Sequence, residues 1–585
     1  MQVTNTLPAD AEYDVVVVGA GGAGLSAALF AAIDGARVLI VEHTEFVGGT
    51  TAWSAGTTWV PGTHHGTQLN PTDTLEAAGT YLDAAIGNHA HPAMRAAFLQ
   101  YGAEAVQRIE THSEVRYRPC AKHPDYISDL PGSTINGRAL EPLPFDARKL
   151  GRYFGLVRPP IPEFTVLGGM MVDRNDINNL LAMTRSWAAL RHSAKIIGRH
   201  ARDRIRYPRG TRWVMGNALV GRLLYSLSLR PNVTLALQNS VCDLGAATLP
   251  RTLRIACTAP QGPGKHGGQS TQVRVRKGVI LASGGFNRNP QLREKMLPGA
   301  DIAWCPAAPG HTGEAHHLAL QQGAHYAEGG ASNAFWAPVS LRQRPDGSTA
   351  VFPHFVMDRA KPGFITVNQA GQRFVNESTS YHLFGLAMQD AQRRNGGSPS
   401  SIPAYLICDA DALQRYGMGM VRPGGGGLQA FLDDGYLTSA PTLAELARKL
   451  GIAATGLEAS VAQMNRYAEN GDDPEFKRGV TAYQQNIGDA TRGGKNPNLG
   501  PIAKAPFYAV RLFPGDIGAS TGFATNANGC MLDGQGQPMP GLYAIGNDMQ
   551  SIMGGVYTAP GITIGPGLVF AYLATRHMRT AGAPT

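Results

Sequence analysis

Three glycines near the N-terminus have the spacing of a phosphate-binding turn. They lie in Gly19-x-Gly21-x-x-Gly24, and Glu42 follows 18 residues after the last of them. Glycines at this spacing permit a tight turn and a close approach of the backbone to a pyrophosphate, and a carboxylate about 20 residues further on binds ribose hydroxyls. The pattern predicts a dinucleotide site with contacts at Gly19, Gly21, Gly22, Ala23, Gly24 and Glu42.

The segments on either side of this turn must position it. Residues 15–18 are a run of valines typical of a buried strand, an alanine-rich helical stretch follows the glycines, and residues 38–41 again have the composition of a strand. In such a βαβ unit the N-terminus of the helix offers free N–H groups to phosphate. We therefore expect an α/β fold with a Rossmann-like dinucleotide-binding domain.

A second loop favours FAD over NAD as the dinucleotide. Residues 48–56, GGTTAWSAG, follow Glu42 closely and are rich in glycine and hydroxyl groups, which suits a flavin because more of the cofactor must be wrapped. Similar chemistry returns near the C-terminus, where residues 541–547 have the pattern of a strand and a turn and residues 561–567 precede an apolar helix. One FAD domain assembled from both termini is expected. Its further contacts are predicted at Gly49, Thr50, Thr51, Ser54, Ala55, Gly56, Val241, Gly546, Asn547 and Ile564.

Composition limits the class of protein. A length of 585 residues predicts at least two folded units, and 43% hydrophobic with 16% charged residues excludes a disordered chain. The six cysteines lie far apart, which predicts neither a disulfide framework nor a structural metal site. The N-terminus lacks the pattern of a secretory signal and no long apolar run occurs, so we expect a cytoplasmic protein without a membrane span.

Several motifs taken together resemble the fumarate reductase and 3-ketosteroid dehydrogenase superfamily of flavoproteins. Besides the glycine turn and the 48–56 loop, they are GVILASGGF at 278–286, GQRFVNE at 371–377 and GLYAIGN at 541–547. The resemblance covers nearly the whole chain and implies an α+β substrate-binding cap domain beside the FAD domain. Relatives with covalent flavin carry a histidine near the position of Thr50, so noncovalent FAD is implied. No second nucleotide unit or redox cysteine pair is visible, which favours a quinone or another non-pyridine electron acceptor.

Within this superfamily, the residue at position 381 separates two reactions. Fumarate reductases carry a proton-delivering arginine four residues beyond the glutamate of the R-F-x-N-E motif, and this chain has Tyr381 there. A phenol, whose unperturbed pKa is about 10, can remove a weakly acidic C–H proton if a neighbour stabilises its phenolate. The resemblance is therefore closer to the 3-ketosteroid 1-dehydrogenases, which use a tyrosine at this position.

Three more positions match those enzymes. Tyr126 resembles the tyrosine that hydrogen-bonds the base, and Tyr557 with Gly561 resembles the pair that holds the C3 carbonyl of the steroid. The resemblance implies 1,2-desaturation of a 3-ketosteroid, in which Tyr381 takes the C2 proton, flavin N5 takes the C1 hydride and Tyr126 lowers the pKa of Tyr381. The family more often reads Y-P-G-A-G where this chain has Tyr557-Thr-Ala-Pro-Gly561, so the shape of this loop stays open.

Other functions remain open at this point. The nearest alternative is a 3-oxo-5α-steroid 4-dehydrogenase or another fumarate-reductase-type flavin oxidoreductase acting on a related ketone. A flavin-bearing module without catalytic activity is a third class. Residues 311–317, HTGEAHH, contain metal-binding letters, but no H-E-x-x-H or H-x-x-E-H pattern is present and no metal is expected.

Most of the net charge lies in one short segment. Residues 185–212 contain nine basic residues and one acidic residue, against a net charge of +9 for the chain. Trp187, Leu190, Ala194, Ile197, Ala201 and Ile205 recur at helical spacing, beside a basic stripe of Arg191, Lys195, Arg199, Arg202 and Arg206. This pattern predicts a basic amphipathic helix that contacts an anionic membrane surface, with a cap helix packed on its own protein as the alternative; nucleic acid is not an expected partner.

We divide the chain into three parts. Residues 1–335 are predicted to form the FAD-binding domain with the basic insertion 185–212 inside it. Residues 336–510 would form the substrate-binding cap, and residues 511–585 would return to the FAD-binding domain. Within the cap, helices are predicted by an apolar series at helical spacing: Leu443, Leu446, Leu450, Leu457, Val461 and Met464.

Overall fold

The computed structural model describes residues 1–258, 270–394 and 396–580. Within these ranges the strands are β1 (Gln2–Thr4), β2 (Ala11–Val18), β3 (Val38–Glu42), β4 (Thr58–Trp59), β5 (Tyr117–Pro119), β6 (Ala139–Pro142), β7 (Phe145–Asp146), β8 (Thr165–Val166), β9 (Met170–Met171), β10 (Arg212–Trp213), β11 (Val233–Leu237), β12 (Asn239–Asp243), β13 (Arg251–Cys257), β14 (Ser270–Leu281), β15 (Ala334–Gln343), β16 (Thr349–Pro353), β17 (Phe364–Val367), β18 (Ala404–Cys408), β19 (Thr438–Ala440), β20 (Phe507–Ala519), β21 (Cys530–Leu532) and β22 (Pro538–Ala544). The α-helices are α1 (Gly22–Ile33), α2 (His64–Leu69), α3 (Leu75–Ile86), α4 (Pro92–His112), α5 (Arg174–Leu181), α6 (Trp187–Asp203), α7 (Met215–Ser228), α8 (Pro290–Met296), α9 (Glu314–Gln321), α10 (Tyr381–Arg394), α11 (Ala410–Tyr416), α12 (Leu428–Asp433), α13 (Leu443–Leu450), α14 (Ala454–Asn470), α15 (Ala482–Ile487) and α16 (Ile564–Thr580).

A mixed sheet joins the two ends of the chain. Strands β1, β11, β3, β2 and β14 are parallel neighbours in that order. The first half of β14 pairs with antiparallel β13, and its second half pairs with parallel β22 from the C-terminal region. The predicted strand, helix and second strand around the glycine turn are confirmed as β2, α1 and β3. The fold is of the mixed α/β class.

Helix α1 is nearly enclosed between this sheet and two other helices. It consists mainly of alanine, glycine and other small residues, and it packs against α7 and α16. Gly24 allows this close packing, because a Cβ atom there would lie 2.0 Å from the carbonyl oxygen of Gly19. The beginning of α1 is therefore held tightly at the edge of the sheet where β2 ends.

A second sheet is antiparallel throughout. Its order is β16, β15, β20, β18 and β17, with β19 also paired to β20, and α10, α13 and α14 pack on it. The apolar series predicted in this region is buried at Leu446, Leu450, Leu457, Val461 and Met464 and partly buried at Leu443. Strand β20 runs continuously through residue 510, where the sequence had suggested a domain boundary.

The basic insertion forms helix α6, packed on α5. The buried side of α6 consists of Ala189, Ser193, Ile196, His200 and Asp203. The predicted apolar series is only partly exposed. Trp187 and Ile205 at its two ends are 81% and 80% exposed, whereas Leu190 and Ile197 are partly buried. The predicted basic stripe is wrong at Arg199, which faces the protein and forms ion pairs with Asp146 and Asp203. In the part of the chain described here, no helix has the length and apolarity needed to cross a bilayer.

Candidate active site

The three tyrosines singled out in the sequence meet in one buried cluster. The Tyr126 hydroxyl donates a hydrogen bond of 3.2 Å to the Tyr381 hydroxyl. The Tyr381 ring stands edge-on to Tyr557 with 5.0 Å between the ring centroids, and Tyr126 stacks on Tyr557 at 5.7 Å. These residues are separated by as many as 431 positions in the chain, yet each is less than a tenth exposed. The arrangement places two phenol groups beside a third that could act as a base.

The R-F-V-N-E segment fixes the position of Tyr381. Tyr381 is the first residue of α10, and Glu377 in the preceding turn is fully buried between Arg373 and Arg478, which lie 2.7 and 3.1 Å from it. Arg373 also pairs with Asp473 at 2.9 Å. Burial alone would raise the pKa of Glu377, but the two guanidiniums hold that pKa below its ordinary value. The motif is thus a buried ionic brace that holds the start of α10.

A single carbonyl joins the loops that carry Tyr126 and Tyr557. The carbonyl oxygen of Thr558 accepts hydrogen bonds from the backbone N–H of Tyr126 at 2.8 Å and from the hydroxyl of Tyr81 at 2.5 Å. These bonds fix the spacing between the two rings. They also require the Thr558 carbonyl to point at the 126 loop, so the departure from Y-P-G-A-G leaves a well-braced turn.

Gly561 closes the same loop against strand β4. Its φ is +89°, and a Cβ atom there would lie 2.4 Å from the carbonyl oxygen of Thr57, so no other residue fits without a shift of the backbone. Its carbonyl accepts the Trp59 N–H at 3.2 Å, and among the described residues its own N–H has no partner. A free backbone donor near the Tyr557 ring has the chemistry of an oxyanion hole.

The electrostatics of Tyr381 differ from the expectation. Burial raises the pKa of Tyr381 well above 10, and the neighbouring phenols Tyr126 and Tyr557 act in the same direction. The expectation that Tyr126 lowers this pKa toward the working range is therefore wrong. The physical reason is mainly burial, because an apolar enclosure disfavours the charged phenolate, and the two neighbouring phenols add to the effect.

Several residues of the cluster carried no signal in the sequence. Tyr483, on α15, packs 4.7 Å from the Tyr126 ring, and its hydroxyl is buried without a partner among the described residues. Phe355 contacts Tyr381 edge-on at 4.8 Å, and Phe335 contacts Tyr557 at 5.0 Å. His382 lies 6.2 Å from Tyr557, and burial lowers its pKa to about 4, so it is neutral. None of these residues belongs to a spaced motif, and only the fold brings them here.

The predicted cofactor residues of the N-terminal region converge on the glycine turn. The Ala20 N–H donates to Glu42 at 2.8 Å, which places that carboxylate beside the turn. The 48–56 loop lies on the other side, where the Gly48 N–H donates to the Ala20 carbonyl at 2.7 Å and the Gly22 N–H donates to the Thr51 hydroxyl at 3.2 Å. The Ser54 hydroxyl accepts the Gly56 N–H at 2.9 Å and so shapes the loop around Ala55.

The turn has the features that a pyrophosphate needs. A Cβ atom on Gly21 would meet no atom within 4 Å, so this glycine faces open space. Within the described ranges, the N–H groups of Ala23 and Gly24 at the start of α1 have no hydrogen-bond partner. Beside the 48–56 loop, the Nε2 atom of His311 lies 3.3 Å from the Thr50 hydroxyl, and its buried Nδ1 atom has no partner. The residues present fit a dinucleotide.

The C-terminal residues reach the glycine turn, and Val241 lies in a strand that contacts β3. A Cβ atom on Gly546 would be 3.0 Å from that of Ala23, and Asn547 follows it directly. Helix α16 begins at Ile564 and runs along α1. Val241 is in β12, where its neighbour Ser240 contacts the residue after Glu42.

A family of known proteins matches this arrangement. The FAD binding domain family matches residues 14–564. A 3-oxosteroid 1-dehydrogenase of Mycobacterium tuberculosis is 34% identical over 574 residues, covering 97% of this chain and 98% of that protein. The chain belongs to the 3-oxosteroid 1-dehydrogenase family of FAD-binding proteins. FAD is therefore its cofactor.

Two further relatives bear on the substrate. A 4-oxocyclohex-2-ene-1-carboxylate 5-dehydrogenase of Sinomonas cyclohexanicum is 36% identical over 566 residues, covering 96% of this chain and 93% of that protein. The crystal structure of 3-ketosteroid delta1-dehydrogenase from Sterolibacterium denitrificans in complex with 1,4-androstadiene-3,17-dione is similar with a TM-score of 0.88 and 33% identity. It covers 97% of this chain and 100% of that one.

Proposed function

We propose that this protein catalyses the FAD-dependent 1,2-desaturation of 3-ketosteroids in steroid degradation. The observation that carries the proposal is the contact between Tyr126 and Tyr381 in a buried cluster with Tyr557, next to the free N–H of Gly561. A desaturation next to a ketone requires an oxyanion hole, a base and a hydride acceptor. The cluster offers the first two, and the relationship to 3-oxosteroid 1-dehydrogenases supports the substrate.

In this proposal, Tyr557 and Gly561 bind the ketone. The Tyr557 hydroxyl and the Gly561 N–H would donate hydrogen bonds to the C3 oxygen and stabilise its negative charge as the C2–H bond breaks. Both donors lie on the same braced loop. This loop would therefore need little rearrangement when negative charge develops on the C3 oxygen. The Phe335 ring, which packs on Tyr557, would help to exclude water from this end of the site.

Tyr381 would take the proton from C2, and Tyr126 would donate its hydrogen bond to the Tyr381 oxygen. Bound FAD supplies the acceptor for the hydride that leaves C1. Because burial raises the pKa of Tyr381 well above 10, the phenolate is a strong base once it forms. The Tyr126 hydrogen bond would orient the Tyr381 oxygen toward the substrate during the transfer.

We assign a different role to the part of the chain built on each sheet. The mixed sheet with β2, α1 and β3 would be a Rossmann-like FAD-binding domain built from both termini, and the antiparallel sheet would be the cap. Because β20 belongs to the antiparallel sheet over its full length, we place the end of the cap at Ala519 rather than at residue 510. FAD would be bound noncovalently, and a quinone or another non-pyridine acceptor would reoxidise it.

Anaerobic reduction of the purified holoenzyme tests the proposed function. Mixing with 4-androstene-3,17-dione should bleach the flavin and yield the 1,4-diene, identified by mass and ultraviolet spectrum. A saturated 5α-3-ketosteroid that is converted at C4–C5 instead would identify the 4-dehydrogenase alternative. A flavin that no 3-ketosteroid reduces would contradict the proposal.

A monocyclic ketone acid is a second candidate substrate. The 36% identity to a 4-oxocyclohex-2-ene-1-carboxylate 5-dehydrogenase favours it, because the same oxyanion hole and base serve any ring ketone. The two candidates are separated by kcat/KM for 4-oxocyclohexanecarboxylate against a 3-ketosteroid, measured on one enzyme preparation.

We also propose that helix α6 contacts an anionic lipid surface. Its partly exposed apolar series ends in Trp187 and Ile205, and Arg191, Lys195 and Arg202 are exposed beside it without ion-pair partners among the described residues. Cationic side chains next to an exposed tryptophan suit an anionic bilayer interface. Such a site suits an enzyme whose substrates dissolve in membranes.

A further inference from the structure

One fully buried arginine has no role in the motifs discussed so far. Arg359 is 0% exposed, and its guanidinium donates hydrogen bonds to backbone carbonyls alone, those of His354, Phe355, Glu377 and Thr379. These bonds use four of the five N–H groups that an arginine has. The neighbouring carboxylate of Asp358 accepts from His354, Gly419 and the Arg359 backbone N–H rather than from the guanidinium.

The carbonyls that Arg359 binds belong to two segments that meet at Tyr381. Thr379, whose carbonyl is 2.7 Å from the guanidinium, precedes Tyr381 by two residues at the start of α10. Phe355, bound at 2.8 Å, packs its ring edge-on against Tyr381. The guanidinium thus ties together the turn that presents Tyr381 and the strand end that supports its ring.

The charge of Arg359 also reaches the phenols. Burial raises the pKa of Tyr483 to about 12, while the nearby Arg359 guanidinium acts to lower it. Tyr483 packs on Tyr126, and Tyr126 donates to Tyr381. The other titratable groups around Tyr381 are Tyr557 and His382, and the charge of Arg174 also acts on Tyr126 and Tyr483. Among the described residues, no carboxylate is in direct contact with the Arg359 guanidinium.

We propose that Arg359 is a positioning residue for Tyr381, which joins the turn before the base to the segment whose Phe355 ring packs on it and supplies the positive charge that stabilises the Tyr381 phenolate while the C2 proton is transferred. This inference rests on the proposed function for the identity of the proton. Arg359 itself gains and loses no bond in the step. An opposite charge within interaction range typically displaces an ionisation by about one to three pH units.

Fluorine NMR of holoenzyme labelled with fluorotyrosine tests the charge without any substrate. The Tyr381 resonance is assigned by its loss in Tyr381→Phe, and its titration is followed in the wild type, Arg359→Met and Arg359→Lys. We expect the ionisation of this residue to move upward by about one unit or more in Arg359→Met and to stay near the wild-type position in Arg359→Lys. The matched control is Arg251→Met, since Arg251 is also fully buried and bound to the carbonyls of Pro540 and Leu244, but in the mixed sheet.

Flavin bleaching by a ketone then tests the catalytic consequence. At a fixed pH near neutrality, Arg359→Met should reduce the ketone-driven rate by about ten-fold or more, and the pH–rate profile should be displaced to higher pH, whereas Arg359→Lys should keep the wild-type profile. An unmoved Tyr381 resonance in Arg359→Met would overturn the proposal. If that variant does not fold, a Tyr381 ionisation in Arg359→Lys displaced upward despite the retained charge would overturn it as well. If no ketone bleaches the wild-type flavin, the proposed function fails while the NMR result still decides the role of Arg359.

Discussion

The ability of Tyr381 to act as a base depends on the groups around its hydroxyl, because a phenol alone is a weak base. In water a phenol is a weak base at neutral pH because it is almost entirely protonated. Here burial and the neighbouring phenols raise its pKa further, and in the proposed mechanism the charge of Arg359 opposes that rise. We therefore expect catalysis to depend on the alignment of these groups with the substrate.

Replacing Tyr381 with phenylalanine removes the base and keeps the ring. We expect FAD content to be unchanged and the rate of flavin reduction to fall by about 10² to 10⁴, the usual contribution of a positioned general base. Rapid mixing with the ketone under anaerobic conditions measures this rate. Tyr405→Phe is the control, because Tyr405 is equally buried in β18 of the antiparallel sheet. Equal rates for wild type and Tyr381→Phe would remove Tyr381 from the mechanism.

The turn before α10 depends on a buried ionic brace. Breaking a buried ion pair costs about 3 to 5 kcal/mol because an uncompensated charge is left behind. Glu377→Gln leaves Arg373 and Arg478 without this partner, so it should lower the melting temperature and displace Tyr381. Because folding lowers the pKa of Glu377, its stabilisation is complete above the usual glutamate range and is lost as the pH falls through the folded value.

Thermal unfolding of the two proteins at several pH values measures this effect. The melting temperatures of the wild type and Glu377→Gln should differ most near neutral pH, and this difference should become smaller in acid. Asp411→Asn is the control, since its ion pair with Lys504 is exposed and should contribute little. A difference that stayed constant down to strongly acidic pH would contradict the brace.

The residues around Thr50 bear on whether FAD is bound covalently or noncovalently. Since position 50 is not a histidine, acid denaturation should release FAD into the supernatant. The structure places His311 only 3.3 Å from the Thr50 hydroxyl, so the same test on His311→Asn is the informative control. Flavin absorbance that stays with the wild-type pellet and is lost from the pellet of His311→Asn would show a covalent bond to His311.

The two sheets place the catalytic cluster between them and leave α6 on the outside. Tyr126 and Tyr557 come from loops of the part built on the mixed sheet, and Tyr381 begins a helix on the antiparallel sheet. The proposed active site would therefore be assembled only when both parts pack together. Helix α6 contributes none of these side chains, so changes on its outer surface should leave the chemistry intact.

Co-sedimentation with liposomes tests the role of this outer surface. The wild type should bind anionic vesicles, bind neutral vesicles less, and dissociate as salt rises, because screening at 0.1 M acts over about 10 Å. Replacing Arg191, Lys195 and Arg202 with glutamine should abolish binding and preserve activity on a water-soluble ketosteroid. Arg199 is kept because it pairs with Asp146.

The control variant also removes three positive charges, but from another part of the surface. Glutamine at Arg393, Lys449 and Lys504, which lie on the part built around the antiparallel sheet, should leave vesicle binding unchanged. If both triple variants bound anionic vesicles equally well, the proposal that α6 is a specific lipid-binding surface would be refuted. Tight binding to DNA without binding to vesicles would favour a nucleic acid as the partner.

The sequence by itself determined the local features whose signal lies in adjacent residues. The glycine turn with β2, α1 and β3, the apolar periodicity of α13 and α14, and the cofactor followed from spacing, because each depends on backbone geometry within about 30 residues. The motif resemblance identified the tyrosines, but not their contacts or their ionisation. Tertiary structure alone brought Tyr483 to Tyr126, Phe355 to Tyr381 and Arg359 to the Phe355 carbonyl, and it showed that burial raises the pKa of Tyr381. Packing between distant segments sets desolvation and charge proximity, and no pattern along the chain encodes those quantities locally.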